Sequence, residues 1–260
     1  MKEKNEVLFC SMPIPKAILV LAVPTVISQI ITIIYNMADT FFIGQLGEPR
    51  QVAAATLNMP LFMFMTALSN LFGVGGSSLI SRFLGANEHK KASHCCAFCI
   101  WTTTVSAFLY GIFMLLLRPV LMPVLGANEE TLPLASSYLF WTIGIGAVPT
   151  VLNPALAHLI RAEGYSKQAS FGVAFGGVLN ILLDPLFIYG LRLQITGAAI
   201  ATLISNTIAL LYFLHFIWKI RATSVLTLSP RMYRITDHIP SEVLSIGLPS
   251  FLISMMGTVS

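Results

Sequence analysis

Two carboxylates stand alone in long apolar stretches. Asp39 interrupts a run from Ala17 to Gly47 that holds no other charged residue, and Asp184 interrupts the run from Gln168 to Leu191. The other nine acidic residues lie in short hydrophilic stretches. An ionisable group at the centre of a membrane helix costs about 2.5–3.5 kcal/mol on the lenient insertion scale. Such a group is tolerated where it faces a protein interior or a watery cavity, and it marks an ion or substrate pathway.

Oxygen-bearing residues recur beside both. Gly172, Gly176, Asn180 and Asp184 are each four apart, so they share one stripe of a helix. The glycines permit close helix approach, and Asn180 places an amide one turn from Asp184. Pro185 lacks an N–H, which frees the carbonyl of Ile181. In the first apolar run, Thr25, Ser28, Gln29, Thr32, Asn36 and Asp39 recur at helical spacing. Gln29, Thr32 and Asn36 are candidate polar residues lining a cavity. In the sixth run, Thr202 lies on a small, polar face with Ala198, Ala201, Ser205, Asn206 and Ala209. Counted from the same membrane side, Asp39, Asp184 and Thr202 fall at about one depth. Carboxylate, amide and hydroxyl oxygens suit a proton or a hard cation such as Na⁺. The expected coupling site is therefore Asp39, Asp184, Asn180 and Thr202. Pro24 sits mid-run and is the candidate hinge of the first helix, against the plainer reading of an ordinary proline kink.

The elements that must carry these residues are membrane spans. Of the 260 residues, 56% are hydrophobic and 10% charged, with a mean hydropathy of +0.81. That excludes an ordinary soluble domain. Six spans are expected at roughly 17–44, 51–82, 92–118, 131–160, 168–190 and 194–218, each near the length a bilayer core demands. The runs are too long for outer-membrane strands. A basic segment over 219–242 reads as a linker, and a seventh apolar run begins at 243. Alternating the termini and loops from the inside places 12 of the 15 Lys and Arg residues inside and 3 outside. The amino terminus is then cytoplasmic and the surrounding membrane the cell membrane. The same bias accounts for the net charge of +4 without a nucleic-acid partner. The first run lacks a small-residue cleavage site and reads as a retained span.

Other motifs are weaker. Cys95, Cys96 and Cys99 crowd the start of the third span beside His94, with Cys10 near the amino terminus. Their spacing is not that of a paired metal-binding motif, and packing is the better reading than metal or redox chemistry. No Walker A loop is present, and no enzyme pattern or cofactor is indicated. Offset by 225 residues, Pro15, Ile18, Leu19, Leu21, Ala22 and Pro24 fall on Pro240, Val243, Leu244, Ile246, Gly247 and Pro249. This points to a repeat of six spans, related by an axis along the membrane normal. It predicts about 190 further residues beyond Ser260.

Several segments resemble one family. They are Asn36-Met-Ala-Asp-Thr-Phe-Phe-Ile-Gly44 with Leu46-Gly47, and Gly73-Val-Gly-Gly-Ser-Ser-Leu-Ile-Ser-Arg-Phe-Leu-Gly-Ala86. Arg161-Ala-Glu-Gly164, Asn180-Ile-Leu-Leu-Asp-Pro185 and Gly197-Ala-Ala-Ile-Ala-Thr202 follow in order. In these the chain resembles the multidrug and toxic compound extrusion transporters, nearest the DinF-like prokaryotic branch. The resemblance implies an all-α membrane protein of twelve helices in two six-helix lobes. The chain would carry the amino-terminal lobe (1–218), the inter-lobe linker (219–242) and the start of helix seven (243–260). The implied activity is antiport of small organic cations against Na⁺ or H⁺. The implied cation site uses helices one and five, which here means Asp39, Asn180, Asp184 and Thr202. Bending of helix one would fall at Pro24. The implied partners are the lipid bilayer and the second lobe. The alternatives are a lipid-linked precursor flippase of related architecture, which would favour basic residues in the cavity, and a half-molecule that does not transport.

The basic-residue bias is directly testable. Cysteine labels near Glu48 and Glu129 should react from outside intact cells, and labels near Lys90 and Arg231 only after permeabilisation. The reverse pattern would invert the topology.

Overall fold

A computed structural model describes residues 13–234 and 238–256. Lys2, Lys4, Cys10 and the last four residues, which entered the reading of charge, cysteines and repeat, lie outside them. The described residues form helices joined by short turns: α1 (Ile14–Gly44), α2 (Pro49–Leu57), α3 (Met59–Gly85), α4 (His89–Val124), α5 (Leu132–Leu139), α6 (Ala147–Ala162), α7 (Ser166–Pro185), α8 (Gln194–Ile220) and α9 (Ile239–Met256). π-helical turns follow α5 (Phe140–Ile145) and α7 (Leu186–Gly190). Among the described residues, six helices are long and apolar enough to cross a membrane. The pair 132–145 and 147–162, bent by 51°, makes a seventh span if it crosses as one. This is the all-helical lobe that the charge-free runs predict.

The breaks have local causes. Pro60 follows directly on the break between α2 and α3, and it has no N–H to give the preceding turn. Buried Asn58 fills that break, its Nδ2 donating to the carbonyls of Ala54 at 2.9 Å and Ala135 at 3.2 Å. The fourth span bends ahead of Pro149, where the N–H of Gly146 reaches back to the Trp141 carbonyl at 3.1 Å. That longer loop is the π geometry that disturbs helices at such points. Gly144 there meets Leu115 of α4 so closely that a β-carbon would clash. Pro24, by contrast, lies within an unbroken α1.

Turns between spans carry their own signals. Gly164 ends α6 with φ of +89°, a left-handed geometry that glycine adopts at no steric cost. The N–H of Tyr165 then bonds the Ile160 carbonyl, and that of Gly164 the Arg161 carbonyl. These are the reversed bonds that close a helix C-terminus. The Arg161-Ala-Glu-Gly164 segment is thus the hinge of the α6–α7 turn. Beyond α8, the linker does not drift free. Val225 and Leu226 are buried, and the Glu163 carboxylate accepts from the Ser224 hydroxyl and the Val225 N–H.

Small residues let the helices approach. α7 packs between α1 and α8. A β-carbon on Gly177 would press on Tyr35 and Ile31 of α1 at 3.1–3.2 Å, and one on Gly176 would meet Ala209 of α8 at 3.0 Å. Gly172 is covered by the rings of Phe213 and Tyr212. The seventh helix, α9, packs mainly on α3, with Gly75 against Val243 and Gly247 against Leu71. Cys95, Cys96 and Cys99 are buried at the α3–α4 contact, where Cys99 lies on Gly76. Most of α1 is apolar and exposed, including Ile18, Ile30 and Ile33. A bilayer or another apolar surface covers such a face.

Gly197 tests this packing at the α7–α8 corner. A β-carbon there would lie 2.7 Å from the Phe187 backbone, which cannot give way. Gly197→Val should lower stability by about 1–3 kcal/mol. Gly85→Ala, with nothing within 4 Å, should be neutral or slightly stabilising. Thermal unfolding of the purified full-length protein in detergent reads both, and equal melting of the two variants would refute the packing.

Candidate functional site

The site is built from the C-terminal half of α7. Asp184 is fully buried and Asn180 is 2% exposed, one turn below it. The Asn180 amide nitrogen lies 3.3 Å from Asp184 Oδ1 and 3.3 Å from the Thr202 hydroxyl of α8. One amide therefore ties the carboxylate of one helix to the hydroxyl of the next. Gly197, five residues before Thr202, seats α8 against the π turn that follows Asp184. The N–H of Leu193 bonds the Phe187 carbonyl at 3.2 Å in the same corner. The residues that shape the α7–α8 corner thus also set the height of Thr202 relative to Asn180.

The first helix supplies Asp39. Tyr189, in the π turn, donates its hydroxyl to the Phe42 carbonyl at 2.7 Å. The rings of Tyr189 and Phe42 also meet edge to face. This fastens the C-terminal end of α1 to the segment directly after Asp184. Asp39 and Asp184 lie within electrostatic range of one another, and Tyr35 and Tyr138 within range of both. Nearby, buried Gln51 donates to Glu48 at 2.9 Å and to Gln194 at 3.0 Å, and accepts from the Ile195 N–H. That clamp joins the start of the second span to the start of the sixth. The Gln51 amide, followed by Arg50, also holds the exposed Glu48 carboxyl below its usual range.

The oxygens are left incompletely satisfied. Asp39 Oδ1, Asn180 Oδ1 and Asp184 Oδ2 are all buried, with no hydrogen-bond partner among the described residues. Buried polar atoms almost always find a partner, so these three, together with the Thr202 hydroxyl, form the cluster of oxygens with the most free acceptor capacity near Asp184. The donor set is carboxylate and amide oxygen with a hydroxyl beside it. It fits a bound proton or a hard cation and offers nothing for a soft metal.

Of the residues expected from sequence, the structure joins Asn180, Asp184 and Thr202 by hydrogen bonds and brings Asp39 into range. Thr32 is half-buried, and its hydroxyl returns to the Ser28 carbonyl at 2.9 Å. Gln29 and Asn36 lie on an exposed flank of α1. Sequence reasoning passed over Tyr35 and Tyr138. Tyr35 carried a signal, since it stands four residues before Asp39 on the same helix face. Tyr138 carried none, because it comes from the fourth span and only tertiary packing brings it there.

Known proteins share this architecture. The MatE family pattern matches residues 24–186. The multidrug export protein MepA of Staphylococcus saprophyticus is 32% identical over 98% of the chain and 56% of its own length, and that of Staphylococcus aureus matches to the same extent. A crystal structure of MATE in the straight conformation superposes with a TM-score of 0.88 at 30% identity, covering 98% of this chain and 56% of that one. The chain thus spans about half the length of the relatives it matches. With the family pattern covering residues 24–186 of the 260, the chain belongs to the MatE family.

Proposed function

We propose that this lobe is the ion-coupling half of a secondary multidrug exporter, which drives small organic cations outward against an inward flow of H⁺ or Na⁺. The observation that carries the reading is the trio of buried, unpartnered oxygens on Asp39, Asn180 and Asp184. A proton or Na⁺ held among them neutralises repulsion between two carboxylates that share one dry neighbourhood. Coupled carboxylates bind a proton as a pair, so either residue can report the same event. The names of the relatives as multidrug export proteins support the substrate class.

The coupling site is Asp39, Asp184, Asn180 and Thr202. Gln29, Thr32 and Asn36 line the approach along α1, and Pro24 is the point at which α1 bends. Bending there would move Asp39 relative to α7 and so open or close the site. The second six-helix lobe, which follows the 219–242 linker, completes the drug cavity. The protein sits in the cell membrane with its amino terminus inside. A flippase for pyrophosphate-linked lipids would favour basic residues in the cavity. The apolar runs that carry the two carboxylates, Ala17 to Gly47 and Gln168 to Leu191, hold no Lys or Arg.

The test is efflux by the full-length protein in vesicles, with pH and Na⁺ gradients imposed separately. Asp39→Asn and Asp184→Asn should abolish gradient-driven efflux at unchanged membrane content. Asn180→Ala should lose about tenfold, since it removes a hydrogen bond to a charged group, and Thr202→Ala about threefold. Normal efflux by both aspartate variants would make the carboxylates structural. The gradient that drives wild-type efflux names the ion.

A further inference from the structure

Among the described residues, the α6–α7 turn leaves Arg161 without a counter-ion. Glu163 lies two residues from Arg161 but turns to the linker, where it accepts from Ser224 and Val225. Arg161 is half-buried, and its Nε is buried with no hydrogen-bond partner among the described residues. The buried Nε–H lacks an acceptor while the rest of the side chain is partly open, an arrangement that an anion completes with a charge-assisted hydrogen bond.

The surroundings say which anion. Arg161 opens onto a shallow depression of about 430 Å³, walled by Ser166 and by Ile18, Leu21, Thr25 and Val26 of α1. Ser166 begins α7, a helix of 20 residues whose N-cap, Tyr165, makes no side-chain cap. Its first-turn amides add partial positive charge to that of Arg161. The opposite wall is apolar, and Ile18 and Val26 are each more than half exposed. The recognition elements are therefore a guanidinium, a hydroxyl and a helix start at one end, and a greasy helix flank running away from them. In the orientation proposed above, this lies at the cytoplasmic leaflet, where anionic lipids concentrate.

We propose that Arg161, Ser166 and the start of α7 bind the phosphate of an anionic phospholipid of the cytoplasmic leaflet, with an acyl chain lying along α1. Inorganic phosphate shares the head chemistry but has no use for the apolar wall. The chain would rest on residues to both sides of Pro24, so an occupied site would bear on the bending of α1.

The test uses the full-length protein in nanodiscs, with photoactivatable phosphatidylglycerol and phosphatidylcholine as probes and mass spectrometry of the labelled peptides. Phosphatidylglycerol should label the segments 14–26 or 160–167, and phosphatidylcholine at least about tenfold less. Arg161→Gln should cut phosphatidylglycerol labelling by about tenfold, Arg161→Lys by less, and Arg118→Gln not at all. Should Arg161→Gln fail to fold, Val26→Trp fills the depression without touching the arginine and should also abolish labelling. Equal labelling by both lipids, or unchanged labelling of Arg161→Gln or Val26→Trp, overturns the site. Displacement of the probe by millimolar inorganic phosphate assigns the site to a soluble anion and overturns the lipid. Labelling that emerges only when Glu3 and Glu6 are changed to glutamine shows that a carboxylate of the chain itself holds Arg161, and overturns it as well.

Discussion

A carboxylate with no exposure, deep in an apolar bundle, is the constraint on which this lobe turns. Asp184 cannot be left alone there, because low dielectric makes an unpaired polar group expensive. Its one hydrogen-bonding neighbour, Asn180, is shared with Thr202. For that amide to reach both, α7 and α8 must lie nearly backbone to backbone, and Gly172, Gly176 and Gly197 make the approach possible. Gly177 does the same on the α1 side. The small residues and the carboxylate are therefore one device. The glycines carry no chemistry, yet they decide whether the chemistry has a second and third helix to work with.

The π turn after Asp184 belongs to the same device. Pro185 cannot donate a backbone hydrogen bond, and the chain responds with wider-looped bonds over Leu186–Gly190. Helix irregularity inside a membrane persists only where other groups satisfy the backbone. Here the Leu193 N–H takes up the Phe187 carbonyl, and Tyr189 reaches across to the end of α1. The irregular turn thus becomes the fastener between the two acid-bearing helices. The same pairing of a π turn with a nearby proline shapes the fourth span at Gly146 and Pro149.

Much of this was legible from residue order. Charge-free runs of membrane length gave the spans, because water and lipid divide residues by polarity before any packing occurs. The depths of Asp39, Asp184 and Thr202 followed from helical rise alone, and the i to i+4 spacing put Asn180 beside Asp184. Bends were less legible. Pro24 and Pro149 look alike in sequence, yet α1 runs unbroken through Pro24 and the fourth span bends by 51° ahead of Pro149. What differs is tertiary: Gly144 must accommodate Leu115 of α4, whereas α1 has an open flank at that level. The polar face of α1 was drawn too wide for a similar reason. At about 100° per residue, Ser28, Thr32 and Tyr35 fall within about 40° of Asp39, while Asn36 and Gln29 stand about 60° and 80° away. The narrow set faces inward and the outer pair lies on the exposed flank, a distinction that a list of polar residues hides.

The site and its frame pull in opposite directions. Glycine contacts, the Gln51 clamp and the Tyr189 fastener hold three helices in one arrangement. Among the described residues, one oxygen each of Asp39, Asn180 and Asp184 finds no hydrogen-bond partner within that arrangement. A fully satisfied network would be more stable and inert, because no guest could shift its balance between states. A ligand moves an equilibrium only by its differential affinity for the two states. Of these helices α1 is the least embedded, although Tyr189 and Gly177 tie one flank of it to α7. It contributes one carboxylate, carries a proline at mid-length and buries little of its surface in the lobe. Its carboxylate, Asp39, is therefore the less embedded of the two, and α1 is also the wall against which the depression at Arg161 is built.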